Sequence, residues 1–228
     1  MQYRVIGDTM PAIEVMFDAP GESMYTQSGG MAWMTDGVEM STNTKGGLMK
    51  GLGRMFSGES LFMATYEARR AGAMIAFAST VAGRILPVDV SVNGGLICQK
   101  GAFLCAQDSV NLDITFTKKF SAGLFGGEGF ILQDINGHGM AFLEIDGDMV
   151  EKHLGAGEVL KVDTGNVVAF EKTVTYEIET VKGLGNIFFG GEGLFLTRLM
   201  GPGKVILQTQ NIAEFAGRIA RFMPVSGK

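Results

Sequence analysis

Two histidines, two cysteines and a glutamate set in repeated glycine turns are the residues through which this chain could do chemistry. His138 and His153 stand 15 residues apart (153 − 138). They fit neither HxH nor HExxH, the spacings that aim imidazoles at one metal ion. Cys98 and Cys105 form no CxxC pair, and two thiols make no disulfide framework. They read as reduced, buried, small hydrophobes. Either thiol could pair with a histidine as nucleophile and base, but nothing in the spacing demands it. Ser60 lies in Gly58-Glu59-Ser60-Leu61, which lacks the GxSxG elbow. Residues 46–53 are glycine-rich but lack the Gly-Lys-Ser/Thr ending of a phosphate loop. The sequence thus offers no catalytic residue, metal site or cofactor.

The glutamates are different, because they recur in register. Phe125-Gly126-Gly127-Glu128-Gly129 returns as Phe189-Gly190-Gly191-Glu192-Gly193, an offset of 64 (189 − 125). A weaker copy stands at Phe56-Ser57-Gly58-Glu59-Ser60. Each is followed by an apolar triplet: Leu61-Phe62-Met63, Phe130-Ile131-Leu132 and Leu194-Phe195-Leu196. Upstream, Gly101 matches Gly165 at the same offset, and Gly29 matches Gly101 at 72 (101 − 29). Such self-similarity marks one supersecondary unit used three times. A carboxylate inside a glycine turn accepts backbone N–H bonds that would otherwise be orphaned. Glu59, Glu128 and Glu192 are therefore candidate repeat-junction staples, or equivalent ligand contacts. The first copy has three more residues between its Gly and Glu than the others, within the loop 45–57. That loop interleaves Lys45, Lys50 and Arg54 with Met55 and Phe56, a candidate partner surface. Its stretch 48–56 reads as a short helix, either capping the first unit or resting on a membrane surface.

The elements that must position these residues are strands. Residues 110–116 and 174–181 alternate apolar and polar at period two, and 157–162 and 205–209 continue the pattern. The 34 glycines against 5 prolines point to tight turns between short strands. Ile212, Phe215, Ile219 and Phe222 fall at helical spacing before Pro224, predicting a C-terminal helix. Hydrophobic residues make up 46% and charged residues 19%, which excludes intrinsic disorder. The net charge of −5 argues against a basic nucleic-acid footprint. No apolar run reaches the roughly 18 residues that a spanning helix needs. Glu14 and Asp18 break any signal-peptide pattern, so a cytoplasmic location is expected.

The repeat anchors also carry a resemblance. Pro20-Gly21-Glu22-Ser23, Gly58-Glu59-Ser60, residues 99–104 (QKGAFL), residues 162–170 (VDTGNVVAF) and Gly191-Glu192-Gly193-Leu194 resemble the hallmarks of one family. It is the bacterial and mitochondrial family named for altered inheritance of mitochondria, similar in fold to the tryptophan RNA-binding attenuator protein. The resemblance spans about Tyr3 to Gln210. It implies an all-β chain of three short double-stranded β-helix, or jelly-roll-like, units with a short C-terminal helix. The divisions would be 1–80, with the enlarged loop 45–57, then 81–148 and 149–210, with a helix and tail at 211–228. It further implies assembly into rings, hence a homotrimer, and it carries over no catalytic residue. The expected role is a non-enzymatic binding or scaffold ring contacting a protein partner, a small ligand or a membrane surface. An RNA-binding ring is the first alternative, and a metal-dependent jelly-roll enzyme the second.

Overall fold

A computed structural model describes residues 1–27, 29–43, 63–92, 94–118, 130–181, 194–220 and 222. The strands in chain order are β1 (Gln2–Ile6), β2 (Ala12–Met16), β3 (Ser23–Gln27), β4 (Met31–Met34), β5 (Val38–Asn43), β6 (Met63–Ala68), β7 (Met74–Ala78) and β8 (Gly83–Asp89). Then come β9 (Leu96–Gln99), β10 (Phe103–Gln107), β11 (Val110–Lys118), β12 (Phe130–Gly137), β13 (Met140–Asp146) and β14 (Met149–Leu154). The last are β15 (Val159–Asp163), β16 (Val167–Glu171), β17 (Thr175–Val181), β18 (Leu194–Met200) and β19 (Gly203–Gln208), and among the described residues one α-helix follows, α1 (Ile212–Ala220). Apart from α1 and short 3-10 turns, the described residues form β-strands, as the alternating segments predict. On β11, for example, Val110 and Leu112 are buried while Asn111 and Asp113 face solvent.

Among the described residues four antiparallel sheets form, ordered β1-β2-β7-β4, β5-β6-β3-β10-β13-β8, β11-β12-β9-β16-β19-β14 and β15-β18-β17. One pairing scheme generates all four. In chain order, strands β2, β8 and β14 pair with β7, β13 and β19. Strands β4, β10 and β16 flank the same three on their other side. Each of these last ladders carries its irregularity at a matching place, between Met31 and Trp33, Phe103 and Cys105, and Val167 and Ala169. Strands β3, β9 and β15 pair with β6, β12 and β18, which pair outward with β5, β11 and β17. Successive sets are then welded by shared sheets, β3 to β10 and β9 to β16.

Three buried clusters lie between these sheets. The first gathers Ile13, Val15, Phe17, Tyr66 and Phe77 with Leu104 and Phe142. The middle one joins Tyr25, Phe103, Val110, Ile135 and Leu143, and the last Phe130, Leu132, Phe170, Leu199 and Val205. Each cluster mixes distant segments, so no set of strands buries its apolar face alone. Burying a side chain of this size stabilises by about 1.5–3 kcal/mol, and part of that burial here is supplied by the neighbouring set.

Asn211 starts α1 by accepting the Ala213 and Glu214 N–H groups on Oδ1, at 3.0 and 3.4 Å. The apolar spacing of α1 suggests a face packed on the core. Instead none of its nine residues is buried, and Ile212, Phe215 and Ile219 remain nearly half exposed. Among the described residues, no helix is long and apolar enough to cross a membrane.

Candidate functional site

A groove of about 560 Å³ opens where the three strand sets meet. Its wall includes Gln27 at the end of β3, Gly29 and Gly30 in the following turn, and the 3-10 turn Lys100–Ala102 between β9 and β10. Glu144 and Asp146 from the end of β13, Gln208 from β19, and the first turns of α1 complete it. Strand geometry explains the carboxylate pair: residues two apart on β13 share a face. Position 30 must stay small, because a Cβ there would come within 2.8 Å of Thr26 Oγ1 and 3.4 Å of Leu104 Cδ1.

Both carboxylates are held by neutral donors. Glu144 Oε2 accepts the Thr80 N–H and Oγ1–H at 3.0 and 3.1 Å, and Asp146 accepts the Ile212 backbone N–H. Burial dominates and raises both carboxyls above the ordinary carboxylate range, while these hydrogen bonds pull the other way. Asp146 also anchors the sheet to β19, its N–H donating to Gln208 Oε1 at 3.0 Å. Gln208 Nε2 donates in turn to the Gly165 carbonyl at 2.9 Å. Gln27 Nε2 is buried without a partner among the described residues. Chemically the groove presents amides, two carboxylates and Lys100 beside the apolar Phe103, Leu104 and Ile131.

Glu59, Glu128 and Glu192 lie outside the described residues, as do Lys45, Lys50, Arg54, Met55 and Phe56 and the helix expected at 48–56. Of the other residues weighed for chemistry, Cys98 and Cys105 are free and fully buried. Burial pushes both thiols far up, which leaves them poor nucleophiles. His153 is exposed on β14 with Nε2 3.1 Å from Glu151. His138 occupies the turn between β12 and β13, its N–H donating to the Ser109 carbonyl at 3.3 Å. Sequence reasoning passed over Glu144, Asp146 and Asn211. The signal was the run Glu144-Ile145-Asp146, a strand that alternates with its carboxylates on one side.

Shared antiparallel sheets around a groove define a β-rich fold. The chain belongs to the AIM24 family, described as mitochondrial biogenesis AIM24, whose pattern matches residues 3–210. It is 29% identical over 224 residues to an uncharacterized protein of Streptococcus pyogenes serotype M6, covering 95% of this chain and 88% of that one. In fold it is similar to a crystal structure of a Streptococcus pyogenes protein, with a TM-score of 0.78 and 24% identity over 97% of this chain and 99% of the other.

Proposed function

We propose that the chain is a non-enzymatic scaffold or binding protein of the cytoplasm, built from three diverged copies of one β unit and acting as a homotrimeric ring. The observation that carries this reading is the single pairing scheme used three times, with neighbouring sets joined through common sheets. A unit that shares its sheets with the next one is built to be continued, and cyclic closure is the ordinary way to end such a series. The proposed likeness to the attenuator protein's ring belongs to the same reading. The ring would present the groove around Gln27, Lys100 and Glu144, the repeated Glu59, Glu128 and Glu192, and the loop bearing Lys45, Lys50, Arg54, Met55 and Phe56 to a protein partner, small ligand or membrane face.

Size-exclusion chromatography with light scattering tests it. Three chains of 24.3 kDa give a particle of about 73 kDa. A monomer at micromolar concentration would overturn the reading.

A further inference from the structure

Among the described residues the two short sheets match the two halves of a six-stranded sheet. Each six-stranded sheet has the same composition. Three strands of one set (β5-β6-β3, then β11-β12-β9) abut three of the next (β10-β13-β8, then β16-β19-β14). The chain begins with the second kind of half, β4-β7-β2 with β1 added outside, and ends with the first kind, β17-β18-β15. Placing β15 beside β4 gives β17-β18-β15-β4-β7-β2-β1, the same order with β1 as an addition.

Burial says which edges are waiting. Phe103, Leu104, Cys105 and Ala106 on β10 are all buried, as are Val167, Val168, Ala169 and Phe170 on β16. Both strands are covered by the preceding set. The matching residues of β4 have no preceding set, and there Trp33 is 43% and Met34 40% exposed. On the complementary side, Met24 and Tyr25 of β3 and Ile97 and Cys98 of β9 are buried; on β15 Val162, at the place of Cys98, is buried too, but Leu160 and Lys161, at the places of Met24 and Tyr25, are half-buried and exposed.

The outer strands β8, β14 and β17 are defended against pairing. Pro87 lies on β8, the exposed Glu151, Lys152 and His153 on β14, and Glu177 and Glu179 on β17. Strand β4, Met31-Ala32-Trp33-Met34, carries no charge and no proline.

Resting on the ring reading above, we infer that β4 of one chain pairs antiparallel with β15 of a second copy, Trp33 opposite Val162, Met34 opposite Lys161 and Thr35 opposite Leu160. The register follows from the two junctions inside the chain. Tyr25 faces Ala106 and Met24 faces Gln107 at the first. Cys98 faces Ala169, Ile97 faces Phe170 and Leu96 faces Glu171 at the second. The two junctions superpose under the sequence offsets of 72 for β3 onto β9 and 64 for β10 onto β16. Carrying β9 onto β15 by 64 and β10 back onto β4 by 72 gives the stated pairs. The contact is heterologous, one edge against a different edge, so each chain uses both and the series closes only as a ring.

The test is a cysteine pair, Trp33→Cys with Val162→Cys, in the full chain. Residues opposite each other on antiparallel strands have Cα atoms about 4.5–5.5 Å apart, within disulfide range. Mild oxidation is expected to yield covalent dimers and trimers on a non-reducing gel. The yield should be about tenfold above that of the control Trp33→Cys with Lys161→Cys, whose side chains point to opposite faces. In the unaltered protein Trp33 is the single tryptophan. Its emission is expected to shift to the red on dilution below the assembly's dissociation constant, as the ring opens and wets it. A particle of three chains with neither cross-link nor fluorescence shift overturns the β4–β15 pairing while the ring stands. A monomer overturns both.

Discussion

Gly165→Ala should loosen α1 through Asn211 alone. Gly165 is buried in the 3-10 turn Thr164–Asn166, and a methyl group there would lie 1.7 Å from Asn211 Nδ2 and 2.5 Å from its Cγ. The amide must swing away, and Oδ1 then releases the Ala213 and Glu214 N–H groups that it caps. Losing an Asn cap costs about 1–2 kcal/mol at the upper end of its range. A nine-residue helix has little stability of its own to absorb that. Hydrogen exchange of the α1 amides should accelerate about five- to thirtyfold, the factor that 1–2 kcal/mol represents. Asn211→Ala should produce the same acceleration directly. The double variant should exchange no faster than Asn211→Ala, because the methyl group then meets no amide. Additive effects in this cycle, or unchanged exchange in Gly165→Ala, would refute the coupling. Gly101→Ala, at the matching place in the preceding set, has nothing within 4 Å of its new methyl group and should leave stability within about 0.5 kcal/mol.

Three more outcomes follow from the same geometry. At Gly83 a Cβ would lie 1.8 Å from the Ile145 carbonyl oxygen, so Gly83→Ala must prise β8 from β13. Its cost of about 3 kcal/mol should lower the Tm by roughly 6–12 °C in calorimetry. Gln133 is fully buried on β12, and neither amide atom has a partner among the described residues. Gln133→Met should therefore raise the denaturation free energy by about 1–3 kcal/mol, measured by urea titration. Burial holds Glu144 and Asp146 above ordinary carboxylates, so between the unfolded range near about pH 4 and their folded values the native state binds more protons. Their contribution to stability is complete below that window and declines as pH rises through it. Glu144→Gln and Asp146→Asn should flatten this decline in urea titrations run at a series of pH values.

Much of the fold was legible because a strand writes its two faces into the sequence. Val110, Leu112 and Asn111 declare β11 directly, and Ile212, Phe215 and Ile219 declare α1. Periodicity does not say which strand lies beside which. The pairings Ala106 to Tyr25 and Ala169 to Cys98 join residues about seventy to eighty positions apart, and no local pattern encodes them. The exposure of α1 was hidden for the same reason, since an amphipathic stripe says that a helix needs a partner but not whether the chain supplies one. The groove was the least legible feature. Gln27, Lys100, Glu144 and Asn211 come from four separate segments, and each is unremarkable in its own context. The repeated glutamates drew attention because repetition shows in a linear string, whereas convergence does not.

The welded sheets also set a timetable for synthesis. Strand β3 gains β6 on one edge first, and its other edge is covered only by β10, where Ala106 lies 81 positions after its partner Tyr25 (106 − 25). At translation rates of about 5–20 residues per second, the nascent chain carries an open sheet edge for about 4–16 s. Strand β9 then waits about seventy residues for β16. The first two sets leave the ribosome incomplete and are finished by the one behind, so newborn chains crowded on one messenger are exposed to mispairing at the same strand positions that later hold the sets together.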